Sequence, residues 1–331
     1  MRRITGCLPL AAALLVLAGC GDSDDGGASA AGTSSPTAEA SEEPEPTDEP
    51  TEEPVADDEV SCSTDDAPQV TVADPGAEPR ALMELSPTAG QTVGLDMTIL
   101  TESTQTLGGV AQPPQQIPPM IFGLAVTIDE VTDEQISMSV VYDRAEFDSD
   151  DPQLQAAMGS MVGLTSTVTT DRSGVFIEGD IDTAGVSDPA LAAAIGQMGA
   201  QLEQLAVPLP REPVGVGAVW DVATAVDSNG VVFCSTTTYR LTEFDGTAYT
   251  FETEVTQQAL PTTLEQGTAT IEVLEGTGAG SGTSSGNLSF PMAVTATSSG
   301  SNSILLLVED GSNRGEIGTD VSLEMQLTTR E

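Results

Sequence analysis

The sequence predicts an α+β fold, in which a mainly antiparallel β-sheet, curved or duplicated, carries two helices packed on one face. Apolar and polar residues alternate in many short runs, which is typical of half-buried strands. Turn signals such as Asp245-Gly246 separate neighbouring runs, as in β-hairpins. Asp151-Pro152 and Asp188-Pro189 each combine a capping residue with a proline suited to the first helical position, and so predict two helix starts.

Residues 1–19 have the features of a lipoprotein signal peptide. Arg2 and Arg3 supply the positive charge, and the apolar run 8–17 is too short to span a membrane. Residues 17–20, Leu-Ala-Gly-Cys, resemble the bacterial lipobox. That resemblance implies cleavage before Cys20 and a diacylglycerol thioether, with palmitate-type acylation, at this cysteine. The alternative is an ordinary secretory signal with an incidental cysteine. We expect a lipid-anchored protein on the outer, extracytoplasmic face of the cell membrane.

Residues 20–60 are rich in acidic residues, proline and threonine and contain almost no large apolar residues. Such a composition cannot bury enough apolar surface to fold, so a disordered tether is expected. The folded body is predicted to span 61–331.

The strands are predicted from residues that share one face at every second position. Three runs have this alternation: Val93, Leu95, Met97 and Ile99; Phe122, Leu124, Val126 and Ile128; Ile136, Met138, Val140 and Tyr142. The acidic segment 129–134 is predicted as a hairpin loop, and further strands are expected at 233–241, 249–255, 269–274, 287–297, 304–308 and 321–327. The glycine-rich segment 276–286 has spacings similar to a dinucleotide fingerprint but lacks a βαβ context, which favours a flexible hairpin loop or a bulged strand.

Both predicted helices carry an apolar stripe. The first has Leu154, Met158 and Met161. The second, 189–205, has the longer stripe of Leu191, Ile195, Met198, Leu202 and Leu205. Leu191, Ile195, Met198 and Leu202 are the candidates for facing an apolar ligand; the alternative is ordinary packing against the sheet.

The folded body also divides into two similar halves, about 61–207 and 208–331. Residues 90–95 followed by one hairpin parallel residues 217–222 followed by another. Internal duplication is therefore a hypothesis.

Cysteine usage predicts one disulfide. Cys7 leaves with the signal and Cys20 is expected to carry lipid, so Cys62 and Cys234 remain. A remaining pair in an oxidising compartment is usually bonded, and two free buried thiols are the alternative.

Composition excludes several function classes. The chain has no histidine, and its nine basic residues are all arginine, which removes histidine-based triads, zinc hydrolase motifs and the P-loop lysine. A net charge of −43 excludes nucleic acid as a partner. Segment 148–151 lacks the glycine of an EF-hand loop, and no metal or cofactor is expected. Among enzymes, only a carboxylate-only hydrolase remains.

Three isolated residues have simple predicted roles. Trp220, the one tryptophan, is predicted to lie in the core, and stacking on a ligand is the alternative. Arg144 and Arg240 are predicted to form ion pairs at the surface, and an anion site is the alternative.

The signal, the tether, the β-rich body and segment 212–220, Glu-Pro-Val-Gly-Val-Gly-Ala-Val-Trp, resemble a family of uncharacterised actinobacterial lipoproteins. That family implies no activity. At the level of fold, an antiparallel sheet with helices against one face is similar to the LolA-like lipid carriers. This second likeness implies an acyl chain held between sheet and helices.

The function expected is therefore non-catalytic: binding of an apolar small molecule or lipid between the sheet and the helix that starts at Pro189. An acidic module that docks or supports an envelope protein at the cell wall is the alternative, and a carboxylate-only hydrolase is the third. The expected membrane contact is through lipidated Cys20.

Overall fold

A computed structural model of the protein describes residues 62–64, 67–181, 207–228, 230–311 and 313–330. These residues form a largely antiparallel β-structure with very little helix, which confirms the predicted sheet. The elements in chain order are β1 (Gln69–Asp74), β2 (Thr92–Leu107), β3 (Val110–Ala111), β4 (Gln115–Val131), β5 (Gln135–Phe147), α1 (Pro152–Gly159), β6 (Thr165–Asp171), β7 (Phe176–Ile181), β8 (Val219–Ser228), β9 (Val231–Phe244), β10 (Ala248–Ala259), β11 (Thr263–Gln266), β12 (Ala269–Asn287), β13 (Thr295–Asp310) and β14 (Asn313–Arg330).

All of the described strands belong to one open sheet. Its order is β1-β8-β9-β10-β12-β13-β14-β2-β4-β5-β6-β7, with β11 paired to β12 and β3 paired to β2. Neighbours in sequence are mostly neighbours in the sheet, as expected for hairpin-connected strands. The exceptions are β1, which pairs with β8, and β14, which pairs with both β13 and β2.

The core lies on one face of the sheet, which we call the inner face; the opposite face is the outer face. Along β5, Ile136, Met138 and Val140 are at most 1% exposed, and the residues between them are more exposed. The same alternation holds for the predicted apolar positions of β2 and β4, most of which belong to the core. The predicted strand faces are therefore confirmed.

Segments outside the strands fill the core from the inner side. Met83 and Leu85 come from the connection before β2, and Leu209 and Val214 come from the segment before β8. Phe290, from the β12–β13 connection, is also buried. The sheet is thus covered at this end by its own loops.

The first predicted helix is present as α1. The Asp151 carboxylate accepts hydrogen bonds from the amides of Gln153 (2.8 Å) and Leu154 (3.5 Å), as a helix cap does. Met158 and Met161 are buried in the core.

The prediction of two helices on one face is not supported. Gly163, whose φ of +92° suits glycine, turns the chain towards β6 soon after α1, so α1 has only eight residues. The second predicted helix, 189–205, lies outside the described residues, and so do its four candidate ligand-facing residues, Leu191, Ile195, Met198 and Leu202. For the residues that the structure describes, the fold is therefore mainly β.

Of the two alternatives predicted for the glycine-rich segment 276–286, the bulged strand fits and the flexible loop is wrong: the segment is part of the long strand β12, which has a bulge between Val273 and Glu275. One further prediction needs correction. The predicted strand at 287–297 is mostly the β12–β13 connection, whose side chains Leu288, Phe290 and Met292 enter the core. A continuous apolar run does not distinguish a strand from a buried connection, which explains the error.

The two halves share a glycine of the same backbone conformation just before their first long strand, β2 or β8. Gly90 and Gly217 both have positive φ, 82° and 87°. Their amides donate to the carbonyls of Ile128 (2.7 Å) and Leu241 (2.8 Å), which lie on the next main strand of each half. Internal duplication stays a prediction that fits this geometry.

Cys62 and Cys234 form the predicted disulfide, with 5.7 Å between their Cα atoms. Cys234 lies on β9, next to the inner-face residue Ser235, so its side chain is on the outer face. The bond attaches the segment before β1 to the outer face of β9.

Candidate ligand-binding face

Charge is divided between the two faces of the sheet. The strand registers place the acidic and basic residues of the described strands on the outer face; Asp310, at the end of β13, is the exception. Glu252 and Glu254 on β10 and Glu324 on β14 are examples. Although the net charge of the chain is −43, the described strands therefore carry almost no charge on their inner face.

The inner face has two apolar regions. The main core covers one end of the strands. A second group, which we call the distal cluster, lies at the other end and consists of Val231, Ala259, Ile271, Val273 and Leu306, with Phe233, Leu264, Ile304 and Val308 packed against it. On β13, Ala296 belongs to the main core and Ile304 to the distal cluster, a separation of about 26 Å at ~3.3 Å per residue.

Between these regions, two glycines face each other across β12 and β13. Gly280 pairs with Gly300, and on either side lie Val255 of β10 and Leu323 of β14. We call Val255, Gly280, Gly300 and Leu323 the glycine row. A Cβ on either glycine would first meet backbone atoms, at 3.1 Å for Gly280 and 3.2 Å for Gly300. The row is thus a shallow step in the inner face, with half-buried apolar side chains at both sides.

Gly276, Gly278 and Gly286 of β12 differ because side chains occupy the space beside them. A Cβ on Gly286 would clash with the Tyr249 ring and hydroxyl, and one on Gly278 would clash with Asn302. These glycines permit side chains of neighbouring strands to lie across β12.

An aromatic group adjoins the glycine row on β8, β9 and β10. Trp220 stacks on Tyr239 with ring centroids 5.4 Å apart and meets Phe251 edge-on at 5.1 Å. Its indole nitrogen donates to the Pro208 carbonyl at 3.0 Å, so the predicted core position of Trp220 is confirmed. Burial raises the pKa of Tyr239 to about 12 and also raises the pKa of Tyr249, because the charged phenolate would lose its hydration there.

Two hydroxyl groups on the inner face have no hydrogen-bond partner. Ser103 on β2 is 3% exposed, and Thr319 on β14 is 4% exposed. Ser103 pairs with Val321, which is two residues from Thr319, so the two hydroxyls are diagonal neighbours on adjacent strands. The sequence contained no signal for them, because their burial depends on the pairing of β2 with β14.

The outer face carries the ion pair predicted for Arg144, and the pair predicted for Arg240 stays a prediction. Arg144 lies 3.6 Å from Asp96 and 3.7 Å from Glu146. Arg330 forms a forked pair with Asp143 across the sheet, and this pairing raises the pKa of the guanidinium. Arg240 is exposed and lies opposite Glu252. The arginines of the described strands therefore lie among carboxylates on the outer face.

A shallow depression of about 340 Å³ also lies on the outer face, where Glu102 and Asp320 meet serine and threonine side chains of β12 and β13. Glu102 and Asp320 are diagonal neighbours on β2 and β14, so their Cα atoms are about 7 Å apart. Both residues are exposed, and the Glu102 carboxylate accepts a hydrogen bond from Gln116. A carboxylate-only hydrolase with these two residues stays a prediction.

No helix among the described residues is both long and apolar enough to cross a membrane. No group of three or more acidic or cysteine side chains in this part of the chain is placed to hold a metal ion.

No protein-family model matches the chain, and no curated protein matches it either.

Proposed function

We propose that this protein is a lipid-anchored extracytoplasmic lipoprotein that binds an uncharged apolar ligand or lipid on the inner face of its sheet. The observation that carries the proposal is the uncharged strip of the inner face between the main core and the distal cluster. Removal of apolar ligand surface from water contributes about 25 cal/mol per Å². A charged side chain in the strip would oppose binding, because it would lose its hydration. The proposal assigns no catalytic role.

The glycine row is the part of this strip that fits an extended chain. Gly280 and Gly300 leave the sheet backbone accessible, and Val255 and Leu323 offer apolar contacts on both sides. Apolar sites with few polar groups are typical of small-molecule binding.

The proposed location depends on Cys20 and on the disulfide. The lipobox-like residues 17–20 favour a lipid anchor, and a disulfide such as Cys62–Cys234 is typical of proteins outside the cytoplasm. Substitution Cys20→Ser tests the anchor. We expect the variant to leave the membrane fraction and to lack the acyl mass at its N-terminus; an unchanged membrane fraction would contradict the lipid anchor.

Ligand binding is tested with N-phenyl-1-naphthylamine, an uncharged dye whose fluorescence rises in apolar surroundings. The full chain is compared with Gly300→Val, which fills the glycine row. The matched control is Gly315→Val on the same face, where a Cβ meets no atom within 4 Å. We expect the wild type and Gly315→Val to raise dye fluorescence equally, and Gly300→Val to lose at least four fifths of the signal.

The proposal fails if the wild type does not bind the dye, or if Gly300→Val binds it as the wild type does. Circular dichroism of each variant establishes that the sheet is retained. Native and denaturing mass measurements of the purified wild type add a second readout, because a lipid that copurifies appears as mass lost on denaturation.

The second candidate is an acidic module that docks an envelope protein. It is favoured by the outer face, where Glu252 and Glu254 lie on β10 and Glu324 lies on β14. Binding through these charges would weaken steeply with salt, whereas binding on the inner face would not.

A further inference from the structure

The Ser103 and Thr319 hydroxyls are buried, but the packing of the described chain gives them no hydrogen-bond partner. A buried hydroxyl without a partner is costly, and buried polar groups in folded proteins almost always have one. Both hydroxyls are more than nine-tenths buried, and neither has a partner. They lie on the uncharged inner face, beside the strands that carry the glycine row.

We infer that Ser103 and Thr319 bind the carbonyl oxygen of an uncharged amphiphile, such as an acylglycerol ester, whose acyl chain lies along the glycine row. The inference rests on the proposed function and names the ligand class for the same site. Each hydroxyl donates one hydrogen bond, and a carbonyl oxygen accepts two. Diagonal neighbours on antiparallel strands are about 7 Å apart at the backbone, so both side chains can reach one oxygen between them.

The surroundings disfavour a charged head group. The arginines of the described strands lie on the outer face, where Arg144 and Arg330 already pair with carboxylates. Glu102 and Asp320 lie on the same two strands as the hydroxyls, on the opposite face, and add negative potential. A carboxylate or phosphate would therefore be buried without a cation and against like charge.

The position of the hydroxyls also fits a ligand that has a polar group and an apolar chain. Thr319 pairs with Ile304 of the distal cluster, and Ser103 is two residues from Thr101, which pairs with Leu323 of the glycine row. If the polar group of the ligand is bound there, its acyl chain can extend along the glycine row towards the main core.

The first experiment compares three probes with chains of eighteen carbons: the ester 1-monoolein, the anion oleate and the hydrocarbon 1-octadecene. Each displaces N-phenyl-1-naphthylamine from the full wild-type chain. We expect monoolein to bind at least fivefold more tightly than either of the others, the change that one to two neutral hydrogen bonds produce. This comparison needs no variant.

The second experiment uses the double variant Ser103→Ala/Thr319→Val. We expect monoolein to lose at least fivefold in affinity and octadecene to be unchanged. The melting temperature of the ligand-free variant should rise, because two unpaired buried hydroxyls are removed; a purely structural role would lower it. The control is Thr170→Val, which removes another buried, unpartnered hydroxyl, on β6, away from the glycine row. It should bind monoolein as the wild type does.

The outcomes separate the two proposals. If the dye does not bind the wild type, the proposed function fails. If the dye binds but monoolein has no advantage over octadecene, or oleate binds as tightly as monoolein, the inference is overturned and the proposed function stands. The inference is also overturned if the folded double variant keeps the full affinity for monoolein.

Discussion

Loss of the Cys62–Cys234 bond should remove a large part of the stability of the folded body. The bond closes a loop with a sequence separation of 172 residues. In the chain-entropy model a loop of this length contributes about 5 kcal/mol at 25 °C, since its closure restricts the unfolded chain. Domains are commonly stable by ~5–15 kcal/mol in total, so the variant should be marginal.

The perturbation is the double substitution Cys62→Ser/Cys234→Ser, which avoids leaving a single free thiol. Urea unfolding is followed by the fluorescence of Trp220, which is buried in the main core. We expect the free energy of unfolding to fall by about 5 kcal/mol. Reduced wild type should behave as the double variant, and the reductant should not change the double variant. A loss below about 1 kcal/mol would refute the argument and imply that the unfolded chain is already restricted without the bond.

Three further predictions concern stability. Burial raises the pKa of Tyr239 and Tyr142 to about 12, from about 10 in the unfolded chain. The stability that these neutral phenols contribute is therefore present below pH 10. The free energy of unfolding, measured by urea titration, should fall by a few kcal/mol between pH 10 and 12. Gly286→Ala should cost about 1–3 kcal/mol, because its Cβ meets the buried Tyr249 ring; urea midpoints measure this. Asp151→Ala should cost about 1 kcal/mol through loss of the α1 cap, measured by thermal unfolding.

Each of these predictions has a control. Tyr239→Phe should lessen the loss above pH 10, and an unchanged alkaline profile would contradict the role of this phenol. Gly315→Ala, where a Cβ meets nothing within 4 Å, is the control for Gly286→Ala, and equal stabilities would contradict the clash. Asp150→Ala removes a neighbouring exposed carboxylate and should leave stability within 0.5 kcal/mol or so of wild type.

The strand faces could be predicted because each depends on a local pattern. Leu95 and Met97 or Ile136 and Met138 alternate with less buried residues, and the inner face follows from period two alone. Asp245-Gly246 likewise predicts its hairpin, where Gly246 has a φ of +99°.

The glycine-rich part of β12 could not be predicted in the same way. Glycine has low strand propensity, and its position here is decided by pairing with β10 on one side and β13 on the other. The space for Tyr249 beside Gly286 and for Asn302 beside Gly278 exists only once those strands are in register.

The candidate site was missed for a related reason. Ser103 and Thr319 are ordinary polar residues of alternating runs, and nothing local separates them from exposed neighbours such as Ser322. Their burial on the inner face follows from the pairing of β2 with β14, whose residues are far apart in the chain. Local periodicity in the sequence does not indicate which distant strands pair.

The central position of β14 makes the sheet dependent on one strand. β14 follows the other described strands in the chain and lies between β13 and β2, so no other pairing in the described sheet joins the two groups of strands. A chain shortened before Asn313 would keep two separate sheets, each with a newly unpaired, long edge. Such edges pair readily with other molecules, so we expect the shortened protein to aggregate. Because the joining contacts link distant parts of the sequence, assembly of the complete sheet should also be slow.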